Sequence, residues 1–216
     1  MKKLIIVGAL LLGLNLQAGV FEDVEAINKG VDGYVVGKVL SDEQKAVMEK
    51  KGLKSDNPNV GRFLASENLL IAYNSKNNRV LAINKRINKL PEAGLKSLIA
   101  TLIHEYEEPT AMAHDKMIYW IYDGKGNKLS EEDLKSFKKS LKDEVSKNTS
   151  LADFLKKSAQ SNATKNDTQK SKFNPYLSVK LSSDTPIMTK QKEPKVANVY
   201  LMISSDKLIT ATTTAK

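Results

Sequence analysis

The chain has 216 residues, 34 Lys or Arg against 25 Asp or Glu, a net charge of +9, and no cysteine. The missing cysteine excludes disulfides, thiolate metal sites and a cysteine nucleophile, so the core must hold the fold together. Its only arginines are Arg62, Arg79 and Arg86. Arginine is the residue that grips phosphates and base edges with two prongs, so no nucleic acid is expected as a partner.

Residues 1–18 have the order of a secretory signal peptide. Lys2 and Lys3 form a basic start, Leu4 to Leu14 is an unbroken apolar run, and Asn15 to Ala18 turns polar and ends on a small residue. The run is shorter than the roughly 20 apolar residues that span a bilayer, and Glu22, Asp23 and Glu25 follow at once. Cleavage after Ala18 is expected, giving a mature protein in the bacterial periplasm, with release to the exterior as the alternative. Loss of Lys2 and Lys3 lowers the net charge to +7. A lysine coat serves solubility; weak contact with an anionic membrane surface is the other chemistry it allows. Nothing after residue 18 is apolar over a membrane-spanning length, so the mature chain is expected to have no transmembrane segment.

In chain order, Val20 to Ile27 suits a short helix, and Tyr34 to Leu40 reads as a strand. Ser41 with Gln44 is a capping box for a surface helix to about Lys51, and Gly52 is placed for a left-handed cap. Ser55 to Gly61 is turn-rich. Leu69 to Tyr73 and Val80 to Ile83 form a hairpin around an asparagine-rich turn. Pro91 opens a helix with Leu95, Leu98, Ile99, Leu102, Ile103 and Tyr106 on one stripe, ended by Pro109. Lys116 to Tyr122 is apolar on both faces, the pattern of a strand covered on both sides. Asp123 to Asn127 is a turn, and Ser130 starts a helix to about Lys147 with Leu134, Phe137, Leu141 and Val145 facing inward. A shorter helical piece carries Leu151, Phe154 and Leu155. Residues 158–173 read as a flexible polar linker between a main domain (19–157) and a C-terminal β region (174–216). In that region Tyr176 to Leu181, Val196 to Ile203 and Leu208 to Thr213 read as strands, with a hairpin at Ser204 to Lys207. These strands either complete the main sheet or form a small β appendage.

His104-Glu105-Tyr106-Glu107-Glu108, with His114-Asp115 beyond it, is the one candidate for chemistry. Zinc hydrolases place two histidines four apart on one helical face, with a glutamate between them as base. Here the second position is Glu108, so His104, Glu108 and His114 would be the ligands and Glu105 the base. A solvated helix end is the competing reading: a histidine near a helix C-terminus is favourable without a metal. No catalytic residue is assigned. Asp123-Gly124-Lys125-Gly126-Asn127 fails as a calcium loop, because Leu134 stands where the bidentate glutamate belongs. No phosphate-binding glycine loop or serine-nucleophile elbow occurs, so no cofactor is expected. The aromatic strand Met117 to Tyr122 reads as core before ligand platform.

The helix closing on Glu108-Pro109-Thr110 before a tyrosine-rich strand resembles, over a short stretch, small envelope assembly proteins of the BamE type. That resemblance implies two helices on a short sheet; those proteins carry their lipid on a cysteine that this chain lacks. The whole sequence is read as α+β: an antiparallel sheet built from hairpins, with the 91–108 and 130–147 helices packed on it. A non-enzymatic periplasmic binding or assembly factor with a protein partner, reached by strand addition, is the first functional expectation. A zinc hydrolase using the 104–114 segment and a basic protein meeting an anionic membrane surface are the alternatives.

Overall fold

The computed structural model describes residues 19–113, 115–144, 175–187 and 196–214. Its body is one antiparallel sheet of eight strands with five helices around it. Helix α1 (19–27) leads into a small hairpin, β1 (Gly30–Val31) with β2 (Tyr34–Val35). Then follow α2 (Asp42–Lys51), β3 (Gly52–Leu53), β4 (Val60–Ser66), β5 (Leu69–Asn74), β6 (Val80–Pro91) and α3 (Glu92–Tyr106). After these come β7 (Ala111–Ala113), β8 (Met117–Tyr122), α4 (Glu131–Glu144), β9 (Leu177–Ser183), β10 (Val196–Ser204) and α5 (Asp206–Thr214). Across the sheet the order is β3-β4-β5-β6-β10-β9-β8-β7.

Strand alternation sorts the residues onto two faces. On the first, Phe63, Ile71, Ile83, Ile203, Val179 and Trp120 follow one another across six strands by register, all buried. The buried stripe of α3 (Leu95, Ile99, Leu102 and Tyr106) joins that core, as do Phe21 and Val24 of α1 and Tyr34 of β2. Arg79 fastens α1 by pairing with Glu25, donating to the Gly37 carbonyl at 2.8 Å and lying over the Phe21 ring. Gly37 is obligatory there. Its φ is +89°, and a Cβ would lie 2.7 Å from the backbone nitrogen of Glu25.

The second face is covered in two places. Over β8, Phe137 of α4 meets Tyr119 edge-on at 5.4 Å between centroids, and Leu134 packs beside it. At one end of the sheet, Ser178, Ser204, Ala82 and Ala72 form a row of small residues. Helix α5 crosses there: Lys207 N–H donates to the Pro175 carbonyl before β9, and Asn74 at the end of β5 donates to the Thr212 hydroxyl at 3.0 Å.

Several expectations are corrected. Leu208 to Thr213 is helix, not strand, and Ser204 to Lys207 closes no hairpin. The Ser205 hydroxyl accepts from Leu208 N–H at 3.1 Å as an N-cap, and Leu208, Ile209 and Thr212 fall on one buried helical face. The Thr213 and Thr214 hydroxyls bond back to the carbonyls of Ile209 and Thr210, which accommodates threonines in a helix. Gly52 is no left-handed cap; with φ −59° and ψ 142° it continues directly into β3. Val60 to Ser66 and Ala111 to Ala113 are strands not expected from the sequence. Tyr34 to Leu40 is strand only at Tyr34–Val35 before it turns at Gly37. The first strand of the hairpin holds as expected, while β6 runs on through Asn84 to Pro91 because β10 pairs along that length. Ile103, expected on the buried stripe, is exposed.

Strands β9 and β10 are interior members of the sheet, each paired on both sides, so they offer no spare edge. The sheet ends instead on β3, of 2 residues, and β7, of 3 residues, edges too short to template a partner strand. The segments expected as a signal peptide (1–18), a helical piece (151–155) and a polar linker (158–173), with His114, Val145 and the Leu141 side chain, lie outside the described residues.

Candidate functional site

The segment His104 to Glu108 closes α3, and its geometry is that of a capped helix end. The last carbonyls of a helix have no partner within it. Here three side chains from elsewhere supply donors: Lys29 Nζ to the Glu105 carbonyl at 3.5 Å, the Tyr122 hydroxyl to the Tyr106 carbonyl at 3.2 Å, and Trp120 Nε1 to the Glu107 carbonyl at 2.8 Å. Lys29 also lies over the Tyr106 and Tyr122 rings, at 5.3 and 5.6 Å, where its charge suits the negative end of the helix dipole. Glu107 adopts φ +65°, turning the chain toward β7. The Tyr106 hydroxyl donates to the Gly30 carbonyl at 3.3 Å. Burial raises both phenols, with the nearby Glu105 and Glu107 charges adding to the effect. Tyr122 is pushed up to about 12 and Tyr106 further.

Two members of the aromatic strand expected from the sequence, Trp120 and Tyr122, therefore serve to terminate α3. The candidate metal ligands stand apart from this joint. His104, Glu105 and Glu108 are exposed, and His114 lies outside the described residues. Among the described residues, no three His, Asp or Glu side chains come close enough to hold a metal ion.

A second region was not foreseen. Between α4 and α5, no described helix covers part of the second sheet face. Leu64, Leu70, Asn84, Met202 and Lys180 follow one another by register across five strands, ending at Tyr119 under α4. The neighbouring row holds Arg86, Tyr200, Ser182 and Met117. Leu64 and Tyr200 are each 37% exposed, and Leu70 and Met202 are half-buried. The Arg86 guanidinium lies over the Tyr200 ring at 5.6 Å, and Lys180 over Tyr119 at 5.4 Å. Neither row contains a carboxylate. The one signal in the sequence was the alternation of β10, Val196 to Ser204, which places Tyr200 and Met202 opposite the buried Val199, Leu201 and Ile203. Which strands lie beside them is a matter of topology alone.

No protein-family model, curated protein or solved structure matches this chain.

Proposed function

We propose that this chain is an exported, non-enzymatic binding or assembly protein of the bacterial envelope, working through the part of its sheet that no described helix covers. The observation that carries this reading is the row Leu64, Leu70, Met202 with Tyr200 and Arg86 beside it. A sheet face normally buries its apolar residues against another layer, as this one does beneath α4 and α5. Aromatic, methionine and arginine side chains grouped at a surface are the composition of protein interfaces. Lysine and glutamate, the residues that make a surface merely soluble, are sparse in these rows. Binding by face contact replaces the strand addition expected from the sequence, because the interior strands have their hydrogen bonds filled. The export reading rests on the order of residues 1–18.

The test is made in cells. Osmotic shock should release a protein that begins at Gly19. A photoreactive phenylalanine analogue at position 200 should cross-link to one envelope protein, and the same group at exposed Lys76 should not. A protein retained in the cytoplasm with Met1 intact would overturn export. Equal adducts from both positions, or none from position 200, would overturn the binding surface.

A further inference from the structure

Resting on the export reading, we infer that folding closes the processing site: once α1 docks, the bond between Ala18 and Gly19 is no longer cut. Removal of the signal segment must then come before α1 packs. A chain that folds first keeps its apolar N-terminus and stays on the membrane.

The reaction is the hydrolysis of one peptide bond. It breaks the bond from the Ala18 carbonyl carbon to the Gly19 nitrogen, and water supplies the oxygen of the new carboxylate and a proton to the new amine. A peptidase takes the residues around such a bond as extended chain, so exposed loops are cut and packed helices resist. Residues 19–27 are helix. A helix that must open before it is cut is processed in proportion to its open population.

Several contacts hold α1 against opening. Phe21 and Val24 are buried in the core of the first sheet face, and Val20 and Ile27 pack against that core. Arg79 pairs with Glu25, donates to the Gly37 carbonyl at 2.8 Å and lies over the Phe21 ring at 5.6 Å. At Gly37 backbone meets backbone: a Cβ there would come within 2.7 Å of the Glu25 nitrogen and 3.2 Å of the Val24 carbonyl carbon.

No loop separates these contacts from the bond. Phe21 is three residues past Ala18, a reach of at most about 11 Å even for extended chain. On the other side, only Asn15 to Ala18 stands between the bond and the apolar run Leu4 to Leu14, which keeps the bond at the membrane surface until it is cut. The folded body and the membrane therefore crowd the bond from both sides.

The experiment uses the full precursor, Met1 to Lys216, purified in urea, with a purified bacterial signal peptidase in detergent micelles. Precursor is either diluted straight into the peptidase or refolded first and then mixed with it. The chain diluted straight in should yield a product beginning at Gly19, and the refolded chain should be processed roughly tenfold or more slowly. Arg79→Ala and Gly37→Ala loosen α1 without altering the residues beside the bond. Refolded precursors carrying them, with the Trp120 fluorescence of the parent, should be processed several-fold faster than the refolded parent. Should Gly37→Ala not refold, Arg79→Ala alone decides. Equal rates in both orders of mixing overturn the inference, and so does a slow refolded chain that neither variant speeds. If neither order gives cleavage after Ala18, the export reading is wrong and this inference falls with it.

Discussion

Gly61 and Tyr73 are direct partners across β4 and β5, and the tyrosine ring lies over the glycine. A Cβ at position 61 would lie 2.1 Å from Cζ, 2.3 Å from the hydroxyl oxygen and 2.4 Å from Cε1 of that ring. Ordinary contacts begin about 1 Å further out, near 3.5 Å, so the ring must leave. Tyr73 cannot leave freely, because it meets Phe63 edge-on at 5.9 Å and Phe63 is fully buried. Gly61→Ala should therefore lose the aromatic pair, about 0.5–1.5 kcal/mol, and part of the cover over Phe63. Against this stands a gain of roughly 0.5–1 kcal/mol from replacing glycine within a strand. Crowding strain of about 1–3 kcal/mol decides the sign, for a net destabilisation of about 1–3 kcal/mol. Thermal unfolding followed by circular dichroism and by the fluorescence of Trp120 measures it, with a fall in Tm of roughly 3–9 °C. The decisive arm is the same substitution in a Tyr73→Ser background, where the clash is gone and alanine should be neutral or stabilising. Equal destabilisation in both backgrounds would refute the argument, since the cost would then have nothing to do with the ring.

Tyr122 gives a pH dependence. Its folded-state pKa, pushed up to about 12, exceeds the ordinary value of 10.0, so the neutral phenol stabilises the fold below pH 10 and that stabilisation is lost as pH rises toward 12. Unfolding free energies from urea titrations should fall across this window by roughly 1–2 kcal/mol more in the parent than in Tyr122→Phe, and identical alkaline profiles would count against the buried phenol. Trp120→Phe removes the donor to the Glu107 carbonyl and part of a fully buried ring; a loss of about 2–4 kcal/mol is expected in thermal melts, and an unchanged Tm would show that the cap on α3 carries little weight. His104→Ala should leave both stability and metal content as they were when the protein is purified without chelator. Near-stoichiometric zinc that this variant loses would restore the hydrolase reading of the 104–114 segment.

Local signals in this chain were legible where their physics is local. The capping box of Ser41 and Gln44 forms as its side chains dictate, with both reciprocal hydrogen bonds present. The three-four spacing of Leu95, Ile99, Leu102 and Tyr106 makes one buried helical stripe. Met117 to Tyr122 is covered on both faces as its double-sided apolar pattern demands. Leu208 to Thr213 reads as a strand in the sequence, yet the Ser205 cap and the seat over Ala72 and Ala82 make a helix. Propensity is a weak term beside the burial of Leu208 and Ile209.

The sequence by itself determined the α+β character, the absence of cysteine chemistry, the hairpin around Asn74 to Arg79 and the faces of α3 and β8, because each depends on residues within a few positions of one another. Only the tertiary structure decided that β10 lies between β6 and β9. That order brings Leu64, Leu70, Asn84, Met202 and Lys180, from five separate strands, into a single row. Pairing between strands more than a hundred residues apart leaves no periodic mark in either strand, since alternation fixes which face a side chain takes and not which neighbour it meets. This row is therefore a product of topology, assembled from residues that look ordinary one strand at a time.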